Sequence, residues 1–419
     1  MTADCPEHLL LRQLFDRAVE VADPIRSLAA HLPPKPAGRV VVIGAGKASA
    51  RMAEAAEAAW GPCEGLVITR YGYARPCRGI EIVEAAHPVP DAAGVAATAR
   101  MLDLVAGLDA DDFVLALISG GASALLCAPA GGMTLEEKQA VNQALLSSGA
   151  PIGQMNILRK HLSRVKGGQL AAAVYPARML TLLISDVPGD APGLIGSGPT
   201  VAEAATAADA AQIAAEWQIP LPASAQAALS QSGVLAPEDP RLSKVQNLIY
   251  AAPSQSLAAA SALAEAAGLK VISLGNDLEG EAREVANTHA AEALRLQAAR
   301  KPGDAPLLLI SGGELTVTRR GKGVGGPNAE YCLALAIALQ GAAGIHAIAC
   351  DTDGIDGAAE VAGAVIGPDT LARAKAAGVA PADALAANDA HNFFASIGGQ
   401  VVTGPTLTNV NDFRAILIG

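Results

Sequence analysis

The sequence predicts an α/β protein of two domains, a Rossmann-like doubly wound parallel sheet followed by a smaller α/β domain. Three observations carry that expectation. Short β-branched and leucine-rich runs alternate with alanine-rich helical stretches along the whole chain. Several of those runs end in glycine or an acid, where a parallel strand feeds the next helix. Hydrophobic residues make up 51% of the 419, yet aromatics only 3%, and small side chains let helices sit close on sheets.

Taken in order, an opening helix is expected over residues 16–32, ended by Pro33 and Pro34. A strand over 39–43 turns through Gly44-Ala45-Gly46-Lys47 into a helix over 48–60. Strands are expected at 65–69, 80–84, 113–118 and 179–185. The stretch 201–239 is helical and alanine-rich, then loosens around Pro237 and Pro240, which sets the expected division into residues 1–239 and 240–419. Beyond it, strands are expected at 247–251, 270–274, 306–310, 346–350 and 400–403. The apolar window 331–350 is interrupted by Gln340, two glycines and His346, so it reads as a buried helix and a strand rather than a membrane span.

The formal net charge of −11, with no run of Lys and Arg, argues against a nucleic-acid partner. Backbone amides and a few local cations can still bind anions in an acidic chain. The six cysteines form no C-x-x-C pair and stand near no histidine at zinc spacing, so reduced thiols in a cytoplasmic protein are expected. Asp4 and Glu7 precede an amphipathic stretch, which is unlike a signal peptide. Oligomeric state stays open, a homodimer included.

Six segments could carry chemistry. Gly44, Gly46 and Ser49 approximate a dinucleotide fingerprint, whereas Val41 breaks the spacing of a phosphate-binding Walker A loop. The strand after it ends in Thr69-Arg70 instead of an acid that would bind a ribose. Lys47 within that turn could neutralise a phosphoryl group, against the plainer reading of a solvated lysine. The segment Ser119-Gly120-Gly121-Ala122-Ser123 could hold a carboxylate or phosphate, or merely cap a helix. On one continuous helix Arg159, Ser163 and Lys166 would share a face, as an anion site or as a solvated surface. Asp186, in Ser185-Asp186-Val187-Pro188-Gly189-Asp190, is a candidate base or a turn residue. Gly312, Gly313 and Glu314, with Gly325 and Asn328, suggest a nucleotide site, and Asp353 and Asp356 a magnesium site. Thr403-Gly404-Pro405-Thr406, with Asn409 and Asp412, reads as a polar loop after the last core strand.

In this order the strings VVVIGAGKAS, HPVPD, LISGGASALL, NILRKHLSRVKGGQLA, ISDVPGD with GSGPT, EGEAREVA, SGGELTV, TDGIDG and VTGPTLTNVND resemble the glycerate 2-kinase family, whose C-terminal half is the MOFRL domain. They run from Val40 to Asp412, nearly the whole chain. The resemblance implies transfer of the γ-phosphoryl group of ATP, with Mg²⁺, to the 2-hydroxyl of glycerate. It implies that Lys47 matches the family's catalytic lysine and that the cleft between the domains holds both substrates. Some relatives carry the name hydroxypyruvate reductase, so NAD(P)H-dependent reduction is the competing activity. One departure stands out: the family usually has an arginine in this segment, as GRGGPN or GIGGRN, where Val324 and Pro327 stand here. A guanidinium is the natural bidentate partner of a phosphate. Its loss is compatible with a weak enzyme or sugar-acid binder, an altered substrate, or replacement by Arg319, Arg320 or Lys322.

Overall fold

Pro24 divides what the sequence presents as one opening helix. The computed structural model describes residues 5–419, except the side chain of Pro188. The first helix spans Pro6–Ala22, and after Pro24 only a single turn, Pro24–Ser27, and a 3₁₀ turn, Leu28–His31, follow. The expected 16–32 helix is therefore corrected at both ends. Leu11, Leu14, Phe15, Ala18 and Ala22 form its buried stripe at helical spacing. The hydroxyls of Ser256 and Thr408 donate to the carbonyls of Ala18 and Ala22, so the C-terminal turn of the helix is satisfied by the C-terminal half of the chain.

The chain forms two compact units, Pro24–Tyr250 and a second made of the residues up to Asp23 with Ala251–Gly419. The expected division at 239/240 differs from this grouping in where residues up to Asp23 and residues 240–250 fall. The strand Val245–Ala251 completes the first sheet, and the opening helix packs against the helix Pro253–Ala266 of the second unit.

In the first unit, strands β1 (Val40–Ala45), β2 (Glu64–Arg70), β3 (Ile80–Ala85), β4 (Phe113–Ile118), β5 (Arg178–Ile184) and β6 (Val245–Ala251) lie in the order β3-β2-β1-β4-β5-β6. The pairs among β1 to β5 are parallel. β1 and β4 are buried along their whole length, as a sheet covered on both faces demands. The strand order reverses between β1 and β4, and ligands bind outside the carboxyl ends of strands at such a point.

The second unit has β7 (Lys270–Ser273), β8 (Gly280–Glu281), β9 (Leu307–Ser311), β10 (Leu315–Thr316), β11 (Ile345–Asp351), β12 (Gly363–Ile366), β13 (Gln400–Val401) and β14 (Asp412–Ile418). Six of them form a mixed sheet in the order β13-β12-β11-β14-β9-β7; β8 and β10 pair separately. β14 is a central strand antiparallel to both neighbours, although the sequence suggested a polar loop after the last core strand. Asp412 and Arg414 disguise it: both are buried and pair at 2.9 Å. The window 331–350 is indeed a buried helix, Pro327–Leu339, followed by β11. Among the described residues, no helix is long and apolar enough to cross a membrane.

Candidate functional site

Two glycine turns meet at the reversal point of the first sheet. The Lys47 amide donates to the Gly120 carbonyl at 2.8 Å, and the Ala48 amide to Ser119 Oγ at 3.0 Å. Ser49 Oγ lies 3.2 Å from Ser119 Oγ. Gly46 has φ 142°, and a Cβ there would overlap Ser119 Oγ. Gly46 and Ser119 thus serve the contact between the two turns, and Gly44 the close approach of β1 to Leu117 of β4. Ser119 is fully buried, and its hydroxyl meets the Ala48 amide and Ser49 Oγ.

Gly121 and Ser123 face outward from this joint. They line a cavity of about 480 Å³ together with His87, Lys138, Arg159 and Lys166. A Cβ placed on Gly121 would lie 3.1 Å from His87 Nε2 and 3.2 Å from Lys47 Cγ, so Lys47 stands beside the glycine that forms the cavity wall. The structure therefore gathers Lys47, Gly121, Ser123, Arg159 and Lys166 at one place. Gly120 is buried within the joint, and Asp186, just beyond β5, is not among the lining residues.

The basic residues arrive by a different route from the one expected. Their helix, Ile152–His161, stops before Ser163, and Lys166 reaches the cavity from the following turn. Lys166 Nζ donates to the Ser123 carbonyl at 2.9 Å and to the Leu126 carbonyl at 3.1 Å. Burial, reinforced by Lys138, pushes its ammonium down to about 7. Lys138, on the helix Leu135–Ser148, donates to the Leu162 carbonyl at 3.4 Å and is pushed down to about 8 by burial. Arg159 is half-buried and donates to Asn156 Oδ1 at 3.3 Å. Two buried ammonium groups and a guanidinium converging on one hollow form a site suited to a small multivalent anion. The sequence reading missed His87 and Lys138. His87 was visible only as part of the string HPVPD, and a lysine on an amphipathic helix ordinarily points to water.

Ser123 Oγ lies 2.8 Å from Ser197 Oγ, so the GSGPT segment backs the wall of the cavity. Gly167 and Gly168 donate their amides to the carbonyls of Ser197 and Gly198, fixing the turn that carries Lys166.

The residues proposed for nucleotide and metal in the second unit have structural work. Asp356 is 1% exposed; its Oδ1 accepts the Asn328 amide at 3.0 Å and its Oδ2 the Ala329 amide at 2.8 Å. His391 Nε2 stands 3.1 Å from the same Oδ2. The carboxylate thus caps the helix Pro327–Leu339 from outside, where the helix dipole favours an anion. Both of its oxygens therefore face protein donors. Asp353 is buried and accepts the Ile355 amide at 2.9 Å. Asn328 is fully buried, its amide nitrogen donating to Asp412 Oδ1 at 2.7 Å. Gly312 and Gly313 give their carbonyls to Arg414, and a Cβ on Gly313 would overlap the Leu278 backbone. Gly325 packs on the Asn388 carbonyl, and Glu314 is exposed. Gly312, Gly313 and Asn328 thus all have hydrogen-bonding or packing partners within the second unit.

Val324 is 42% exposed while its backbone is pinned, its amide to Asp389 Oδ1 at 2.7 Å and its carbonyl to the His391 amide at 3.0 Å. Arg319 is exposed and donates to the Gly323 carbonyl at 3.3 Å, which keeps a guanidinium close to that segment.

Residues 10–230 match the family described as Domain of unknown function (DUF4147), and residues 307–412 match the MOFRL family. A protein of Agrobacterium vitis, provisionally named a hydroxypyruvate reductase, is 53% identical over 99% of this chain and 95% of its own. The D-glycerate 2-kinase of Thermotoga maritima is 38% identical over 99% of both chains. A crystal structure of glycerate kinase from Thermotoga maritima matches with a TM-score of 0.90 at 37% identity, covering 99% of this chain and 100% of that one.

Proposed function

The chain belongs to the glycerate 2-kinase family, and from that premise we propose that it transfers the γ-phosphoryl group of ATP to the 2-hydroxyl of D-glycerate. The observation that carries this reading is the convergence of Lys138, Arg159, Lys166 and Ser123 on one cavity, with Lys47 beside its Gly121 wall. Glycerate is a small carboxylate that becomes a multiply charged phosphate ester, and such a hollow stabilises the growing negative charge.

In this mechanism Lys166 and Arg159 hold the carboxylate, and Ser123 positions a hydroxyl. Lys47 neutralises charge on the phosphoryl group as it passes. Asp186, at the carboxyl edge of the same sheet but outside the cavity lining, accepts the hydroxyl proton only if it draws within hydrogen-bond reach of the bound acid. Asp353 and Asp356 do not offer the free carboxylate pair a magnesium ion would need, so no step is assigned to a protein-held metal. A reducing, cytoplasmic setting suits six free thiols.

The competing activity is hydroxypyruvate reduction, favoured by the name of the Agrobacterium vitis relative. It calls for a nicotinamide nucleotide on the first glycine turn. That turn is filled by Ser119, and β2 ends in Arg70, stacked 4.7 Å from the Tyr73 ring, instead of an acid for the ribose. One coupled assay separates the two. ADP release with D-glycerate and Mg-ATP is expected, whereas NAD(P)H consumption with hydroxypyruvate and no ATP requirement would sink the kinase reading.

A further inference from the structure

We propose that Cys5, His8 and His346 form a zinc site that clips the first helix onto the mixed sheet of the second unit. Their ligand atoms all lie within 4.8 Å of one another, with Cys5 Sγ 3.9 Å from His346 Nδ1. The two imidazoles meet edge to face with centroids 5.3 Å apart. Bond lengths to tetrahedral zinc place sulfur and nitrogen ligands roughly 3.6 Å apart. The Cys5–His346 pair already stands close to that spacing, and the other ligand atoms lie within 4.8 Å, so the cluster closes on an ion by side-chain movement of about 1 Å or less.

Gly367 supplies an independent sign that these atoms face one small space. A Cβ built there would lie 3.0 Å from His346 Nδ1, 3.0 Å from His8 Nε2 and 3.4 Å from Asp369 Oδ1. Glycine leaves this volume clear, and three donor atoms surround it. Asp369 is exposed and 3.7 Å from Arg373, so it or a water can complete four-fold coordination. A neighbouring hollow of about 290 Å³, lined by Pro6, Glu7, His346 and Gly419 among others, gives an ion a way in. His8 Nε2 also stands 3.2 Å from the Ile366 carbonyl, and metal binding would exchange that hydrogen bond for a metal bond.

The mixed donor set of one thiol and two imidazoles favours zinc over magnesium or calcium, which take oxygen. The sequence hides it, although Cys5 and His8 stand one helical turn apart, because His346 lies 341 residues beyond Cys5. The expectation that no cysteine stands near histidine at zinc spacing is corrected to that extent. The site lies outside the cavity assigned to glycerate, so its failure and the failure of the kinase reading are separately visible.

The test uses full-length, tag-free, reduced protein titrated with Zn²⁺ alone, and with Co²⁺ as a spectroscopic substitute. One tight equivalent of Zn²⁺ is expected, with a rise in the thermal midpoint and a thiolate-to-cobalt charge-transfer band. Cys5→Ser should abolish the band, and both Cys5→Ser and His346→Gln should weaken Zn²⁺ binding by at least about tenfold. Circular dichroism checks that the variants are folded, and Cys5→Ser is the mild change should His346→Gln prove unstable. No stoichiometric binding by the wild type would overturn the proposal. Binding that persists unchanged in Cys5→Ser, or Co²⁺ binding without the thiolate band, would also overturn it.

Discussion

Raising the pH from 7 to 9 is expected to weaken D-glycerate binding through Lys166. Its ammonium is buried, donates to two carbonyls, and is pushed from an ordinary value of 10.5 down to about 7. In the ligand-free site it is about half charged at pH 7 and about 1% charged at pH 9. A bound carboxylate favours the charged form, so the complex holds a proton that the free protein has lost. Through Lys166 alone the apparent Kd should then rise roughly 50-fold over that interval, which is about 2.3 kcal/mol, and the loss of charge on Lys138 acts in the same direction. Calorimetric titration without nucleotide, in buffers of different ionisation enthalpy, reads this directly. At least one proton should be taken up per acid bound near pH 9, where Lys138, pushed down to about 8, is also largely neutral, and little below pH 6. Lys138→Met removes a neighbouring positive charge, so the falling limb should move to higher pH. For stability the sign is opposite to that of a stabilising pair. The folded protein prefers the neutral amine, so the stability this residue permits falls as pH drops from about 10 towards 7. A Kd that stays flat between pH 7 and 9, with no proton uptake, would refute the reasoning.

Three further outcomes are expected. Lys47→Ala should lower kcat by about 10²–10³-fold while leaving the melting temperature within about 3 °C of wild type, measured by ADP release and thermal scanning. Asp356→Ala should cost about 2–4 kcal/mol, or roughly 5–15 °C, because two amides at the start of the helix Pro327–Leu339 lose their acceptor. Lost activity at an unchanged melting temperature would restore Asp356 as a metal ligand. Val324→Arg should raise kcat/KM about tenfold without a change in stability, since the side chain is exposed and its backbone is held by Asp389 and the His391 amide. An unchanged rate would assign the guanidinium's role to another residue.

Much of the first sheet was legible because β1 and β4 are buried throughout and read as unbroken apolar runs, and its other strands keep an apolar centre. The expected 113–118 coincides with β4, and 80–84 falls one residue short of β3. β14 was not legible, because Asp412 and Arg414 look like loop residues until their mutual pairing is known. The opening helix was displaced because Pro24 counts for more than the apolar spacing around it. At the site, glycine and serine turns identified the right edge of the sheet. Local spacing could not say which of those groups would be consumed in holding the turns together. Ser119 and Asp356 both look available in the sequence, and both are occupied in the fold. Lys138 shows the converse, a residue that reads as solvated and is buried against the cavity.

The central claim, phosphoryl transfer onto the 2-hydroxyl of glycerate, is tested most directly by phosphorus NMR of the product formed from D-glycerate and Mg-ATP. The account predicts one new phosphomonoester on carbon 2, appearing in step with ADP and absent with Lys47→Ala. A phosphate on carbon 3, or no ester alongside NAD(P)H-dependent turnover of hydroxypyruvate, would contradict it.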